Sequence, residues 1–201
     1  MFRTLALSLA GLMMLPGLAQ AEMTLTSADM TEGQPLKADQ VLNGFGCEGA
    51  NRSPELSWSG APEGTQSFVV TAYDPDAPTG SGWWHWTLFN IPASAAHLES
   101  GAGSAGGVLP DGAVQGRTDF GAPGYGGACP PEGGEPHHYV FTVYALKVPS
   151  LPLDEGASGA MVGYMARGNA LEQATLKFAV TERRSRLCLS IAGSLPSRRS
   201  G

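Results

Sequence analysis

"SFVVTAYDPDAPTGSGWWHWTLFNIP", residues 67–92, sets two runs of β-branched and aromatic residues on either side of a turn, and its reading decides the fold class. Pro75 and Pro78 fix φ between the runs, and Asp76 can accept from nearby backbone N–H groups, so the chain turns there. The flanks, "SFVVTAYD" (67–74) and "WHWTLFNI" (84–91), read as strands, as does "HYVFTVYAL" (138–146). Each run carries apolar residues on both faces, the mark of a central strand covered on both sides. Weaker strands are expected at "EMTLTS" (22–27), "ELSW" (55–58) and "ATLKFAV" (174–180). One helix is expected over 158–174, with Ser158 as N-cap and Met161, Val162, Met165 and Leu171 along its apolar side, although Gly163 and Gly168 weaken it. With 28 glycines and 15 prolines joining short elements by many turns, the fold class is mainly β: a sandwich with one or two peripheral helices.

Alternate residues of a strand share a face, and this parity locates the candidate chemistry. His85 is expected to point away from Trp84 and Trp86, together with Thr87 and Phe89; His137 and Tyr139 share a face at the start of the third strand. Asp74 closes the first strand. If the three strands are antiparallel neighbours, Asp74, His85, His137 and Tyr139 converge at one edge of the sheet. The turn residue Pro78, Trp83 of the tryptophan cluster, and the Cys129-Pro130-Pro131 wall of "GYGGACPPEGGEP" (124–136) complete the expected lining. That glycine-rich segment is also expected to offer free backbone N–H groups. Two imidazoles, a phenol and backbone donors suit a small anionic ligand, such as phosphate or carboxylate, at the mouth of an apolar pocket. A nearby carboxylate would favour imidazolium and strengthen such binding. Singly, each feature is ordinary in a β protein; their coincidence at strand ends is what points to a site.

The ends of the chain and its charge bound the class of partner. Arg3, the apolar run from Leu5 to Leu15, and Ala19-Gln20-Ala21 have the form of a secretory signal peptide cleaved after Ala21, so the mature protein is expected to be periplasmic or secreted. Leu5 to Leu15 is too short to span a hydrocarbon core of about 30 Å, and no transmembrane segment is expected. Residues 22–182 are expected to form one domain carrying 6 basic residues against 18 acidic ones, a formal charge of −12. So acidic a body disfavours nucleic acid as a partner. Residues 183–201, with five arginines, read as a basic, disordered extension. Of three cysteines, Cys47 and Cys129 lie in glycine-rich body segments and Cys188 in the extension, so 47 is paired with 129; the pairings 47 with 188 and 129 with 188 stay open. Closing the 47–129 loop would stabilise the fold by about 4.5 kcal/mol in the chain-entropy model.

"YDPDAPTGSGWWHWTLFNIP" (73–92) and "DFGAPGYGGACPPEGGEPHHYVFTVYAL" (119–146) resemble the two signature blocks of the phosphatidylethanolamine-binding protein family, in its bacterial Raf-kinase-inhibitor-like branch of the YbhB/YbcL type. Residues 45–68, 109–121 and 158–171 extend the resemblance over roughly 22–181. It implies a β-sandwich of a large central sheet and a smaller one with flanking helices, and a small anion-binding pocket at one end. It also implies that Asp74, His85, Pro130, Pro131, His137 and Tyr139 line that pocket. Between Pro78 and His85 the segment "TGSGWW" is short, so a loop that shapes ligand choice in eukaryotic members is reduced, and their kinase regulation and lipid binding are not carried over.

The function expected is that of an exported, non-enzymatic binding protein for a small anionic group, with no cofactor and no metal. The alternative is a protein partner, as an inhibitor of protease or kinase type. Two enzyme readings are weaker: a metal-dependent hydrolase using His85, His137 and Asp74, and a thiol hydrolase pairing Cys129 with His137. "NRS" (51–53) fits a glycosylation acceptor only in a eukaryotic host.

Overall fold

The computed structural model describes residues 22–180; the segment read as a signal peptide and the basic extension with Cys188 lie outside the described residues. Strand β5 (Ser67–Asp74) lies at the middle of the fold, hydrogen-bonded to β6 (Trp83–Pro92) on one side and to β9 (His137–Leu146) on the other. These are the three strands read from the sequence, and both pairings are antiparallel. Short β8 (Val114–Gln115) and long β10 (Ala170–Val180) close the edges, giving a five-stranded sheet in the order β10-β9-β5-β6-β8. A second sheet of β1 (Thr24–Thr26), β4 (Leu56–Ser59) and β7 (His97–Leu98) lies over it, and β2 (Asn43–Gly44) and β3 (Cys47–Glu48) form a separate hairpin.

The core between the two sheets explains why the central strands are apolar on both faces. Leu25, Leu56, Trp58 and Leu98 of the small sheet meet Phe68, Val70, Trp86, Leu88, Phe141, Val143 and Phe178 of the large one. Burying each such side chain contributes about 1.5–3 kcal/mol. The opposite face of the large sheet presents Val69, Phe89, Tyr144 and Leu146 to α1 (Gly159–Asn169), which answers with Val162 and Ala166.

Helix α1 differs from its sequence reading in length and in part of its face, with Val162 buried and Met165 packed against the core as read. Ser158 caps it, its hydroxyl accepting from Met161 N–H at 3.3 Å, but the helix stops at Asn169 and the chain passes directly into β10, so Leu171 is a half-exposed strand residue. Pairing of 170–180 along the length of β9 outweighs the local helical pattern. The buried stripe is Gly159, Val162, Gly163 and Ala166, and Met161 points outward. Trp84 is the reason: a Cβ on Gly159 would lie 2.2 Å from its Cγ, and one on Gly163 2.8 Å from its Cη2. The glycines that weaken the helix as a helix are what let it lie against the sheet. Gly159→Val is therefore expected to cost about 1–3 kcal/mol by overpacking. Gly168→Ala, whose new Cβ meets nothing within 4 Å, is expected to gain about 0.5–1 kcal/mol. Urea denaturation of the two variants against the parent checks both signs.

Cys47 and Cys129 form a disulfide across 82 residues of sequence, the pairing favoured from the sequence. Asn51 of the "NRS" triplet is a structural residue: its Nδ2 donates to Tyr125 O and its Oδ1 accepts from Gly127 N–H, tying 125–127 to the body.

Candidate functional site

Parity alone misplaces His85, because β6 carries an extra residue there. Ala72 pairs with Trp86 and Tyr73 with Trp84, leaving His85 as a β-bulge. His85 accordingly shares the sandwich-facing side of Trp86 and lies opposite to Phe89, which packs toward α1. The bulge brings the imidazole to Tyr139, ring centroids 5.0 Å apart, and to Phe120 at 5.4 Å. Without the extra residue the ring would face the helix and the site would not form.

Asp74, His85, His137 and Tyr139 all line one cavity of about 230 Å³ at the edge of the large sheet. Pro78, Trp83, Cys129 and Pro131 line it too, as expected. Pro130 does not: it is buried behind the wall, and only Pro131 reaches the opening. Sequence reasoning missed Phe45, Ala77, Thr79 and Phe120, which complete the lining. Phe45, an aromatic between two glycines in "NGFGC", carried a legible signal, since an apolar ring in such a turn has no obvious place in a core. Ala77 and Thr79 carried none beyond their position in the turn.

Asp74 is the anchor of the site. Its Oδ1 accepts from the N–H groups of Asp76 and Ala77 at 2.8 and 3.1 Å, which shapes the turn, and its Oδ2 holds His137 Nδ1 at 2.7 Å. Both partners are buried, so His137 is oriented with Nε2 as its unused nitrogen. His138, next along β9, points to the outside and pairs with Asp76 at 2.7 Å.

His85 Nδ1 donates to Gly126 O at 2.8 Å, which fixes the tautomer and leaves Nε2 an acceptor while the ring is neutral. Burial holds its pKa below the ordinary 6.5, outweighing the opposing pull of the Gly126 carbonyl and of Asp74 and Asp119. The sequence reading, in which a nearby acid favours imidazolium, is thus corrected at His85. As pH falls below about 6.5 the unfolded chain takes up a proton here that the folded chain refuses. Stability is expected to fall from pH 7 toward pH 5 by at most about 1.4 kcal/mol per pH unit from this residue. Urea midpoints across that range check it, and His85→Leu is expected to flatten the profile.

Tyr139 is held far from ionisation, chiefly by burial and then by the Asp74 charge. Its hydroxyl is therefore a neutral donor or acceptor. Four of the backbone donors expected from the glycine-rich segment, those of residues 125–128, are consumed within the fold. Tyr125, Gly126 and Ala128 N–H go to the carbonyls of Gly103, His85 and Gln40, and Gly127 N–H to Asn51. Trp83 Nε1, in contrast, is buried with no partner. Among the described residues lining the cavity there is no Lys or Arg, and no group of three or more His, Cys, Asp or Glu is placed to hold a metal ion. Cys129, in its disulfide, has no thiolate for a hydrolase.

A family model, phosphatidylethanolamine-binding protein, matches residues 26–181. The chain belongs to the phosphatidylethanolamine-binding protein family. Within it, the chain is similar to the UPF0098 protein YbcL of Escherichia coli K12, 57% identical over 157 residues that cover 78% of this chain and 86% of that one. It is likewise similar to the UPF0098 protein YbhB of the same organism, 53% identical over 154 residues, covering 77% and 97%. The crystal structure of Escherichia coli YbcL, described as a new member of the mammalian PEBP family, superposes with a TM-score of 0.79 at 55% identity, covering 81% of this chain and all of that one. The sandwich, the bulged β6 and the Asp74/His137 pair are thus features of a phosphatidylethanolamine-binding family member. Among its described residues no helix is long and apolar enough to cross a membrane.

Proposed function

We propose that this family member is an exported, non-enzymatic binding protein whose cavity takes a small monoanion: a phosphodiester, the monoanion of phosphate or a phosphorylated headgroup, or a carboxylate. The observation that carries the reading is the convergence on one cavity of two imidazoles, each with Nδ1 committed to the protein and Nε2 unused. With no lysine or arginine in the lining, the charge that balances an anion comes from an imidazole. An anion that seats against His85 raises its affinity for a proton, so binding tightens as pH falls. The apolar walls of Phe45, Phe120 and Pro131 suit a substituent on the anion and exclude water around it.

Calorimetric titration with dimethyl phosphate, a monoanion throughout the range from pH 5 to 8, tests this. Affinity at least tenfold tighter at pH 5.5 than at pH 8 is expected; no saturable binding at either pH contradicts the reading. Sources are separated by repeating the titration with inorganic phosphate, phosphoethanolamine and acetate. Export rests on the form of residues 1–21 and on a disulfide that persists in oxidising compartments. A mature protein beginning at Glu22 in the exported fraction supports it, and retention of Met1 in the cytosol opposes it.

A further inference from the structure

Phe45, 84% exposed, sits at the tip of the β2–β3 hairpin with φ +53°, its ring stacked on Phe120 with ring centroids 6.0 Å apart. Both rings line the cavity. At its base the hairpin is held by Leu42 N–H to Ala128 O at 3.0 Å and Gly49 N–H to Leu42 O at 2.9 Å. Above that its ladder is only two residue pairs, Asn43 with Glu48 and Gly44 with Cys47, and a short two-stranded hairpin is marginal by itself in water. What pins the tip is the disulfide from Cys47 to Cys129, and Cys129 is itself a wall of the cavity. One covalent bond therefore joins a wall of the cavity, Cys129, to the hairpin that carries Phe45.

We infer that the Cys47–Cys129 disulfide is a redox-sensitive clamp that holds Phe45 over the anion cavity, so that affinity depends on its oxidation state. The inference rests on the binding function proposed above. A dithiol reductant supplies two electrons and two protons: its first thiolate attacks one sulfur, the S–S bond breaks, and its second thiol resolves the mixed disulfide. Cys47 and Cys129 leave as thiols and the reductant as a disulfide. The hairpin base, its hydrogen bonds intact, stays attached while the tip and Phe45 are released. The coupling is reciprocal, so a bound anion favours the oxidised form by the same factor.

The test uses the mature chain carrying Cys188→Ser, which leaves these two cysteines alone. Affinity for dimethyl phosphate is measured oxidised and after dithiothreitol, in this protein and with Phe45→Ala, alongside amide hydrogen exchange. Reduction is expected to weaken binding about tenfold and to speed exchange over residues 43–48 while β5, β6 and β9 keep their protection. In Phe45→Ala, reduction is expected to change affinity less than twofold. Unchanged affinity on reduction overturns the inference, as does loss of protection throughout the sheet, which would make the bond a staple of the whole fold. Should no anion bind the oxidised protein, the functional reading fails separately. Exchange over 43–48 then still decides the clamp, and protection unaltered by reduction contradicts it.

Discussion

Asp74→Ala is expected to lower stability by about 3–5 kcal/mol and to abolish measurable anion binding, the largest double effect of any single change in this protein. The carboxylate is 2% exposed and serves three donors: two backbone N–H groups of its own turn and the ring of His137. Removing the carboxylate leaves the buried His137 ring and two backbone N–H groups without their acceptor, each at about 1–3 kcal/mol, and the turn that carries Pro78 and Thr79 along the cavity loses its cap as well. Asp74→Asn separates the two contributions. Its Oδ1 can still accept from Asp76 and Ala77, and its amide can donate to His137 Nδ1, which moves the imidazole proton to Nε2 and takes the carboxylate charge away from the ring. Most of the stability should return while binding of dimethyl phosphate stays weak. Urea denaturation and calorimetry on the two variants check the pair of outcomes; full affinity in Asp74→Asn would show that the charge of Asp74 is irrelevant to the ligand.

His85→Ala is the second. It leaves the Gly126 carbonyl without its donor and opens a gap between Phe120 and Tyr139, at a cost of about 1–3 kcal/mol. Its effect on binding is larger and has a distinct form. Affinity for dimethyl phosphate at pH 5.5 is expected to fall at least fiftyfold, and the difference between pH 5.5 and pH 8 to shrink to less than threefold, because the group that takes up the proton is gone. A uniform loss at every pH would make His85 a wall of the cavity with no charge to give.

The three central strands and the cysteine pairing were legible because they rest on local facts: β-branched and aromatic runs between prolines and glycines, and two cysteines in glycine-rich segments; the two-residue strands β2, β3, β7 and β8 are too short to carry such a run. Asp74, His137 and Tyr139 were legible for the same reason, as they stand at strand ends where parity and turn chemistry both apply. His85 was found with the wrong face, since a bulge is set by how β5 and β6 register against each other and leaves no mark in "WWHW". The helix was overextended because Leu171 continues a helical pattern that only the long pairing with β9 overrides. Its buried face was read only in part, through Val162 and Met165, because glycine is scored as a breaker, and the need for two glycines beneath Trp84 is visible only once the helix lies on the sheet. Four of the backbone donors expected of 124–136, those of 125–128, were spent on segments distant in sequence, around Gln40, Asn51, His85 and Gly103, which a pass along the chain does not bring together.

The most direct measurement is a titration of the four histidine ring signals of the mature protein with dimethyl phosphate, followed by NMR, with zinc as a control. The signals of His85 and His137 are expected to shift together and saturate at one equivalent, while His97 and His138, which face solvent, stay still. Silence at His85 and His137, parallel drift of all four rings, or a stoichiometric response of the pair to zinc alone would contradict the account of this cavity as an anion site.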